Sequence, residues 1–244
     1  MRTFTIYGGI FPRITPRDER LMRARTNTPR AVVRRMVQYL VYLEEKQKGD
    51  DEWVSSQEIA EALDLTSATV RRDLLHLDFS GTASRGYEIG TLRSRLSAFL
   101  GLAVKWKVAI IGAGNLGKAL ALHSAWPRRG FKICAIFDKD RRKVGTRVGG
   151  ITVQHVDELP AAIRTAGLQI AVLAVPADAA QSVADIAIVS GIRGILNLAL
   201  THIVAPPHVC VFNGRLEANM IALAHGILHA PFPSRAHSNE VETC

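Results

Sequence analysis

Cysteine, long apolar runs and metal-binding spacings are scarce in this sequence, and each scarcity excludes a class of protein. Three cysteines in 244 residues are too few and too scattered for a disulfide framework, and no C-x-x-C or Cys/His cluster indicates zinc. No apolar run reaches the length of a membrane span, and the N-terminal residues lack the apolar core and cleavage site of a secretory signal. These absences predict a soluble, cytoplasmic protein with no membrane partner.

Basic residues are abundant, with 31 Lys and Arg against 22 Asp and Glu and a formal net charge of +9. Such a balance is typical of proteins with a polyanionic partner such as nucleic acid. Residues 1–27 mix arginines with prolines and glycines without periodicity, which predicts a basic flexible arm. The arm either follows DNA phosphates or has no binding role.

Residues 28–90 carry the pattern of a winged helix-turn-helix domain. A long amphipathic helix is followed by Ser55 and Glu58, whose spacing predicts a capping box at the start of a second helix, and a third helix follows after a short connection. Two short helices joined by a tight turn are typical of helix-turn-helix proteins. The turn-rich segment 80–87 predicts the wing. A three-helix protein-interaction module is the alternative.

The third helix and the wing offer side chains suited to DNA. Small hydroxyls and guanidinium groups at the start of such a helix can reach base edges and phosphates in the major groove, and a wing arginine can reach the minor groove or the backbone. The predicted DNA-binding residues are Thr66, Ser67, Thr69, Arg71, Arg72 and Arg85.

A linker helix is predicted over 91–105, and it leads to a second domain over 106–212. There an apolar run from Val108 to Ile111 predicts a buried parallel strand, and G-x-G-x-x-G follows at once. The next apolar strand ends in Asp138, about 20 residues past the last glycine, where a carboxylate can accept from the adenine ribose hydroxyls. The further alternation of strands and helices predicts an α/β, doubly wound Rossmann domain.

The glycine-rich turn suits a dinucleotide better than a plain βαβ connection. Gly112 allows the tight turn, Gly114 lets a pyrophosphate approach the backbone, and Gly117 lets the helix lie close to the strand. Asp138 favours NAD(H), because a carboxylate repels a 2′-phosphate, and the basic triplet 141–143 is mainly a solvated turn. The predicted cofactor-binding residues are Gly112, Ala113, Gly114, Asn115, Leu116, Gly117, Asp138, Lys143, Val175, Pro176 and Asn197.

An amphipathic helix is predicted within 213–230, before a tail over 231–244. Its apolar face must cover either its own sheet or a partner subunit, so we expect a C-terminal dimerisation helix. The histidines show no metal spacing and no pairing with a nucleophile, so neither a metal site nor a catalytic residue is predicted.

Together these features resemble the Rex family of bacterial redox-sensing transcriptional repressors. The resemblance covers residues 28–230 and is carried by WVSSQEIAEALDLTSATVRRDL, GAGNLGKAL, FDKD followed by KVG, AVPADAAQSVADIA and GILNLA. It implies a homodimer that exchanges its terminal helices and binds an inverted-repeat operator upstream of respiratory and fermentative genes. It also implies that NADH closes the nucleotide domains and moves the winged helices out of register with successive major grooves.

Several positions depart from the family pattern. LHLDFSG stands where the family has an aromatic SYFGEFG, His123 replaces a tyrosine, and Arg215 replaces an aspartate. Arg35 matches the family arginine that pairs with that aspartate, so Arg35 and Arg215 are expected to repel. We therefore expect this chain to retain DNA binding and nucleotide binding more fully than the NADH-dependent switch.

Two other functions fit parts of the sequence. One is a nicotinamide-dependent oxidoreductase with an N-terminal extension, although no catalytic relay lies in a motif and no substrate-binding domain follows the Rossmann unit. The other is a regulator that senses a different adenine nucleotide, such as coenzyme A. The favoured interpretation is a repressor that senses the NADH/NAD⁺ ratio without chemical turnover.

Overall fold

The computed structural model describes residues 28–47, 49, 51–214 and 216–229. Contacts divide the chain into two compact units, with the boundary between Val104 and Lys105. The predicted arm and tail lie outside the described residues. None of the described helices combines the length and hydropathy needed to cross a bilayer.

The first unit is built, in its described part, from four α-helices and a two-stranded antiparallel sheet. The helices are α1 (Arg30–Lys46), α2 (Ser56–Ala62), α3 (Ser67–Leu74) and α4 (Ile89–Phe99), and the strands are β1 (Trp53–Val54) and β2 (Tyr87–Glu88). The predicted capping box of α2 is confirmed: Ser55 Oγ accepts from the Glu58 N–H at 3.0 Å, and the Glu58 carboxylate accepts from the Ser55 N–H at 2.8 Å.

All four helices contribute to one apolar core. Met36 of α1, Ile59 of α2 and Leu74 of α3 are among its fully buried side chains. Helix α4 begins before the segment predicted as a linker, and it buries Leu92 and Leu96 in the same core. Its leucines have the spacing of a packed helix because they complete the first unit, and α4 is a structural part of that unit.

The second unit is a seven-stranded sheet with helices on both faces. Its elements are β3 (Trp106–Ile111), α5 (Asn115–Ala121), α6 (Ala125–Arg128), β4 (Phe131–Asp138), β5 (Arg147–Val148), β6 (Ile151–His155), α7 (Leu159–Ala166), β7 (Ile170–Leu173), α8 (Ala177–Val189), β8 (Gly194–Asn197), β9 (Cys210–Asn213) and α9 (Leu216–His229).

The strand order is β5-β6-β4-β3-β7-β8-β9, and every neighbouring pair except β5 with β6 is parallel. From β6 to β9 this is the order of a doubly wound Rossmann sheet, so the predicted fold class is confirmed. The order reverses between β3 and β7. Ligands of such sheets bind beyond the carboxyl ends of the strands at this switch point.

The two faces of the sheet are covered unequally. Helices α7 and α8 cover one face, where Ala180, Ala184 and Ala187 are completely buried. The opposite face is open to an apolar cavity of about 510 Å³, whose lining includes Trp106, Trp126, Phe131, Ile170, Leu196 and Phe212. The described side chains of α9, from Glu217 to Leu228, are all exposed.

Candidate DNA-binding and nucleotide-binding sites

The turn after β3 can be made only with glycine at its first position. Gly112 has φ +106°, and a Cβ there would lie 2.3 Å from the carbonyl oxygen of Ala174 and 3.2 Å from Val175 Cγ1. A φ in this region strains any residue with a side chain. Gly112 therefore brings the first loop into contact with the loop after β7, at the switch point of the sheet.

The other two glycines differ in what surrounds them. A Cβ at Gly117 would lie 1.8 Å from the carbonyl oxygen of Gly112, so α5 can lie against the turn only without a side chain there. A Cβ at Gly114 would meet nothing within 4 Å, and the φ of −78° suits any residue. The protein itself does not require glycine at 114. The space beside this backbone is open, and the predicted approach of a pyrophosphate at Gly114 stays a prediction.

The start of α5 faces the same space with unpaired amides. The first N–H groups of a helix have no acceptor inside it, and they attract anions. Asn115 and Leu116 supply this first turn, and Leu116 is 51% exposed although it is apolar. The N–H of Ala113 is already used, since it donates to Asp138 Oδ2 at 2.8 Å.

Asp138 ends β4 as a buried carboxylate, and both of its oxygens accept hydrogen bonds. Its Oδ2 also accepts from Lys143 Nζ at 2.9 Å, and its Oδ1 accepts from the Asp140 N–H at 2.8 Å. Burial raises the pKa of Asp138, but the hydrogen bonds from Asp140, Lys143 and Ala113 together hold that pKa below its ordinary value. The carboxylate therefore stays ionised. Lys143, predicted to touch the cofactor, lies beside it, while Arg142 pairs with Asp140 instead.

The remaining predicted cofactor residues lie at the carboxyl ends of β7 and β8. Val175 is half-buried against Gly112, and Pro176 is the exposed residue that precedes α8. Asn197 is buried, and both of its amide hydrogens are used: Nδ2 donates to the Thr201 carbonyl at 2.7 Å and to Asn213 Oδ1 at 2.9 Å. Asn197 thus orders the loop after β8, and a contact with the cofactor would require one of these bonds to be exchanged.

Helix α3 begins with hydroxyls that serve partly as caps. Thr66 Oγ1 accepts from the Thr69 N–H at 3.1 Å, and the Thr66 and Thr69 hydroxyls lie 2.8 Å apart. Capping of this kind fixes the first turn of the helix. Two of the predicted DNA-binding hydroxyls are therefore engaged within the helix, while Ser67 is half-exposed beside them.

Two arginines predicted to bind DNA meet at one groove between α3 and the wing. This groove, of about 590 Å³, is lined by Arg71 and Arg85 together with Ser56 and Ser84. Arg71 Nη1 donates to Ser56 Oγ at 3.2 Å, so α2 orients it. Arg72 is exposed and is not part of the groove lining. The arrangement places a pair of guanidinium groups at one groove.

Family models match parts of both units. The family model "Putative DNA-binding protein N-terminus" matches residues 27–74, and the model "CoA binding domain" matches residues 104–201. The redox-sensing transcriptional repressor Rex of Clostridium beijerinckii is 34% identical over 204 residues, which cover 84% of this chain and 97% of that protein. This chain belongs to the Rex family. Rex of Streptomyces coelicolor is 40% identical over 196 residues, 80% of this chain and 76% of its own.

Solved structures of a Rex-family repressor, RSP, show the same fold. RSP in complex with β-NAD⁺ and operator DNA superposes with a TM-score of 0.79 at 32% identity, covering 82% of this chain and 92% of that chain. RSP has also been solved in complex with β-NADH, and that structure superposes with a TM-score of 0.77.

The Rex-family arginine at position 35 has a partner within its own unit. Arg35 Nε donates to Asp73 Oδ2 at 2.6 Å and Nη2 to Asp73 Oδ1 at 2.7 Å, while the Tyr39 hydroxyl donates to Asp73 Oδ2 at 2.7 Å. The bond to Asp73 raises the pKa of Arg35 above its ordinary value. The predicted repulsion between Arg35 and Arg215 stays a prediction. Arg215 itself lies outside the described residues.

Asp73 and Tyr39 are functional candidates that were not predicted from the sequence. Asp73 is 2% exposed, and it shares the inner face of α3 with Val70 and Leu74, which lie three residues before it and one after it. A carboxylate on the apolar face of an amphipathic helix needs a partner, so this pattern could have shown that Asp73 is paired, although not with which residue.

His123, at the family's tyrosine position, orders the turn before α6. Its Nδ1 accepts from the Ala125 N–H at 3.1 Å, and its ring lies 5.4 Å from the ring of Trp126. The ring therefore packs locally, at the far end of α5 from the glycine-rich turn.

Proposed function

We propose that this protein is a repressor that binds an inverted-repeat operator as a homodimer, in the cytoplasm, and releases it when NADH is bound. The observation that carries the proposal is Gly114, where the protein leaves open a space that its own packing does not need. On the same chain, a helix-turn-helix presents two arginines in one groove. The family relative RSP has been solved with NAD⁺ and operator DNA, and with NADH.

The residues around the switch point suit NAD(H). Gly114 and the free amides of Asn115 and Leu116 would hold the pyrophosphate, and Asp138 and Lys143 would face the adenosine ribose as acceptor and donor. NADH and NAD⁺ differ in the charge and shape of the nicotinamide ring. The loop at Val175 and Pro176, beyond the strand next to β3, is therefore where the two forms would be told apart.

No chemical step is needed for this activity. A ligand shifts the population of two arrangements of a protein when it binds one of them more tightly. The chain's relatives are named as transcriptional repressors, and its predicted site contains no residue that must transfer a proton or a hydride.

Arginines and hydroxyls would make the DNA contacts. Helix α3 would lie in the major groove, where Arg71 and Arg72 reach base edges or phosphates, and Arg85 on the wing would contact the minor groove or the backbone. Thr66, Ser67 and Thr69 would contact phosphates near the start of the helix.

Two apolar surfaces of the second unit support the homodimer. One is the open cavity on the sheet, and the other is the exposed face of α9, which carries Met220, Ile221, Leu223, Ile227 and Leu228. Contiguous exposed apolar surfaces mark interaction sites. In a two-fold dimer the same surface of each subunit becomes buried against its partner. Light scattering should give the mass of a dimer for the wild-type chain and that of a monomer for Leu223→Glu/Ile227→Glu.

Coenzyme A is the second candidate ligand, because the family model over residues 104–201 is named for it. Coenzyme A carries a 3′-phosphate on its adenosine ribose. The ionised Asp138 would lie close to that phosphate and repel it, so we expect NAD(H) to bind more tightly.

Fluorescence anisotropy of a labelled inverted-repeat duplex tests the proposal. At one fixed salt concentration, the nucleotide-free protein should bind the duplex, NADH should weaken that binding, and coenzyme A should neither weaken it nor displace NADH. Equal responses to NADH and coenzyme A, or no response to any nucleotide, would contradict the proposed function.

A further inference from the structure

Trp53, a residue outside the predicted DNA-binding set, lies directly under the wing arginine. The Cζ atom of Arg85 is 4.6 Å from the centroid of the Trp53 ring. A guanidinium over an indole face at this distance is attracted by the ring's quadrupole. Among the described residues, the Arg85 side chain donates no hydrogen bond. The Trp53 ring covers only the flat face of the guanidinium, so the N–H donors in the guanidinium plane stay available.

The wing backbone lies against β1, the strand that contains Trp53. Gly86 N–H donates to the Thr82 carbonyl at 2.9 Å, and Thr82 N–H donates to the Gly86 carbonyl at 2.7 Å, which closes the wing turn. Gly86 has φ +87°, and a Cβ there would lie 2.3 Å from the Val54 carbonyl oxygen. The wing therefore touches β1 at two successive residues: its backbone at Val54 and its arginine at Trp53.

We infer that Trp53 is a positioning residue for operator binding, which acts by holding the Arg85 guanidinium at the edge of the groove shared with Arg71. A long side chain at the tip of a turn has many rotamers, and binding DNA must select one of them. Contact with the indole ring restricts the Arg85 rotamers already in the DNA-free protein. This inference rests on the proposed operator binding, and it adds a residue that does not itself need to touch DNA.

A double-mutant cycle on the full-length protein tests the inference, with the affinity for a labelled operator duplex as the readout. Trp53→Leu should weaken operator binding about fivefold, and Trp53→Phe, which keeps an aromatic face, should weaken it less than about twofold. In the Arg85→Ala background, Trp53→Leu should have almost no further effect, because the group that it positions is absent. The affinity for NADH should be unchanged in every variant.

A fluorinated ring separates the electrostatic role from simple packing. A tetrafluorinated tryptophan at position 53 keeps the shape of the indole but weakens its quadrupole, and it should weaken operator binding only while Arg85 is present. This substitution keeps the inference testable even if Trp53→Leu fails to fold. Arg95, which lies 6.0 Å over the ring of Phe79 in the same unit, gives the matched control, and Arg95→Ala should change the affinity little.

Equal losses from Trp53→Leu with and without Arg85 would overturn the inference, since they would mean that Trp53 only stabilises the sheet. An unchanged affinity with the fluorinated ring would also overturn it. Failure of the wild-type chain to bind the operator would overturn both this inference and the proposed function, whereas normal wild-type binding without coupling would overturn this inference alone.

Discussion

The proposed binding surfaces of the two units are built from different parts of the polypeptide. In the second unit the surface is mainly backbone: a turn at Gly112, an open approach at Gly114 and the free amides at the start of α5. In the first unit it consists of long side chains, and Arg71 and Arg85 are held by Ser56 and Trp53. A backbone surface depends on which residues lack side chains, whereas a side-chain surface depends on neighbours from distant parts of the chain.

Substitution of Gly114 should produce the largest effect and should separate binding from folding. Gly114→Val should lower the affinity for NADH about a thousandfold, because the new side chain fills the space of the pyrophosphate and leaves its charges without donors. Stability should change little, since a Cβ at 114 meets nothing within 4 Å. Calorimetric titration and thermal unfolding check the two parts.

Gly112→Ala is the matched control for that variant. It should destabilise the second unit by about 3 kcal/mol, because its Cβ meets the Ala174 carbonyl in a strained conformation. If Gly114→Val lowers the stability as much as Gly112→Ala does, glycine at 114 is required for folding, and the contrast between the two glycines is contradicted.

Removal of Asp73 should have the next largest effect. Asp73→Ala leaves Arg35 and Tyr39 without their shared acceptor, and it should lower the free energy of unfolding by about 3 kcal/mol, as for other broken buried ion pairs. Urea denaturation of the full-length protein measures the loss. Asp140→Ala removes a carboxylate whose partner Arg142 is 90% exposed, and it should leave the unfolding midpoint almost unchanged.

Arg71→Ala should weaken operator binding about tenfold, with no change in the affinity for NADH. The reason is the loss of a guanidinium that α2 already orients. Arg142→Ala in the second unit serves as the control, because it removes the same charge from an exposed turn. Similar losses for the two variants would indicate that net charge alone, rather than the groove, determines DNA affinity.

The smallest expected effect is the pH dependence of the α2 cap. The hydrogen bond from Lys46, and then that from the Ser55 N–H, lower the pKa of Glu58 from 4.5 to about 2. A carboxyl with a lowered pKa in the folded state stabilises the fold above pH 4.5, and this contribution is lost as the pH falls towards 2. Because the side chain is 46% exposed, the contribution should be below about 1 kcal/mol.

Glu58→Gln should remove that part of the acid destabilisation of the first unit. Urea denaturation at pH 7 and pH 3 measures it in both proteins. An equal loss of stability on acidification in the variant and the wild type would assign the pH dependence to other carboxyl groups.

Local patterns were sufficient to predict the glycine-rich turn, the capping box and the strand that ends in Asp138, because each depends on residues close together in the sequence. The partner of Arg35 could not be predicted in this way, since Asp73 lies 38 positions away and reaches Arg35 only through the packing of α3 on α1. The same holds for Trp53 under Arg85. Helix α4 was predicted as a linker because amphipathic spacing alone does not show which unit buries the apolar face.

The most direct test of the account is operator affinity measured over a range of NADH/NAD⁺ ratios at constant total nucleotide, in the wild-type chain and in Gly114→Val. We expect the wild-type affinity to fall as the ratio rises, while the variant binds the operator equally well at every ratio. A wild-type affinity that ignores the ratio, or a variant that still follows it, would contradict the claim that occupancy of the glycine-lined space controls DNA binding.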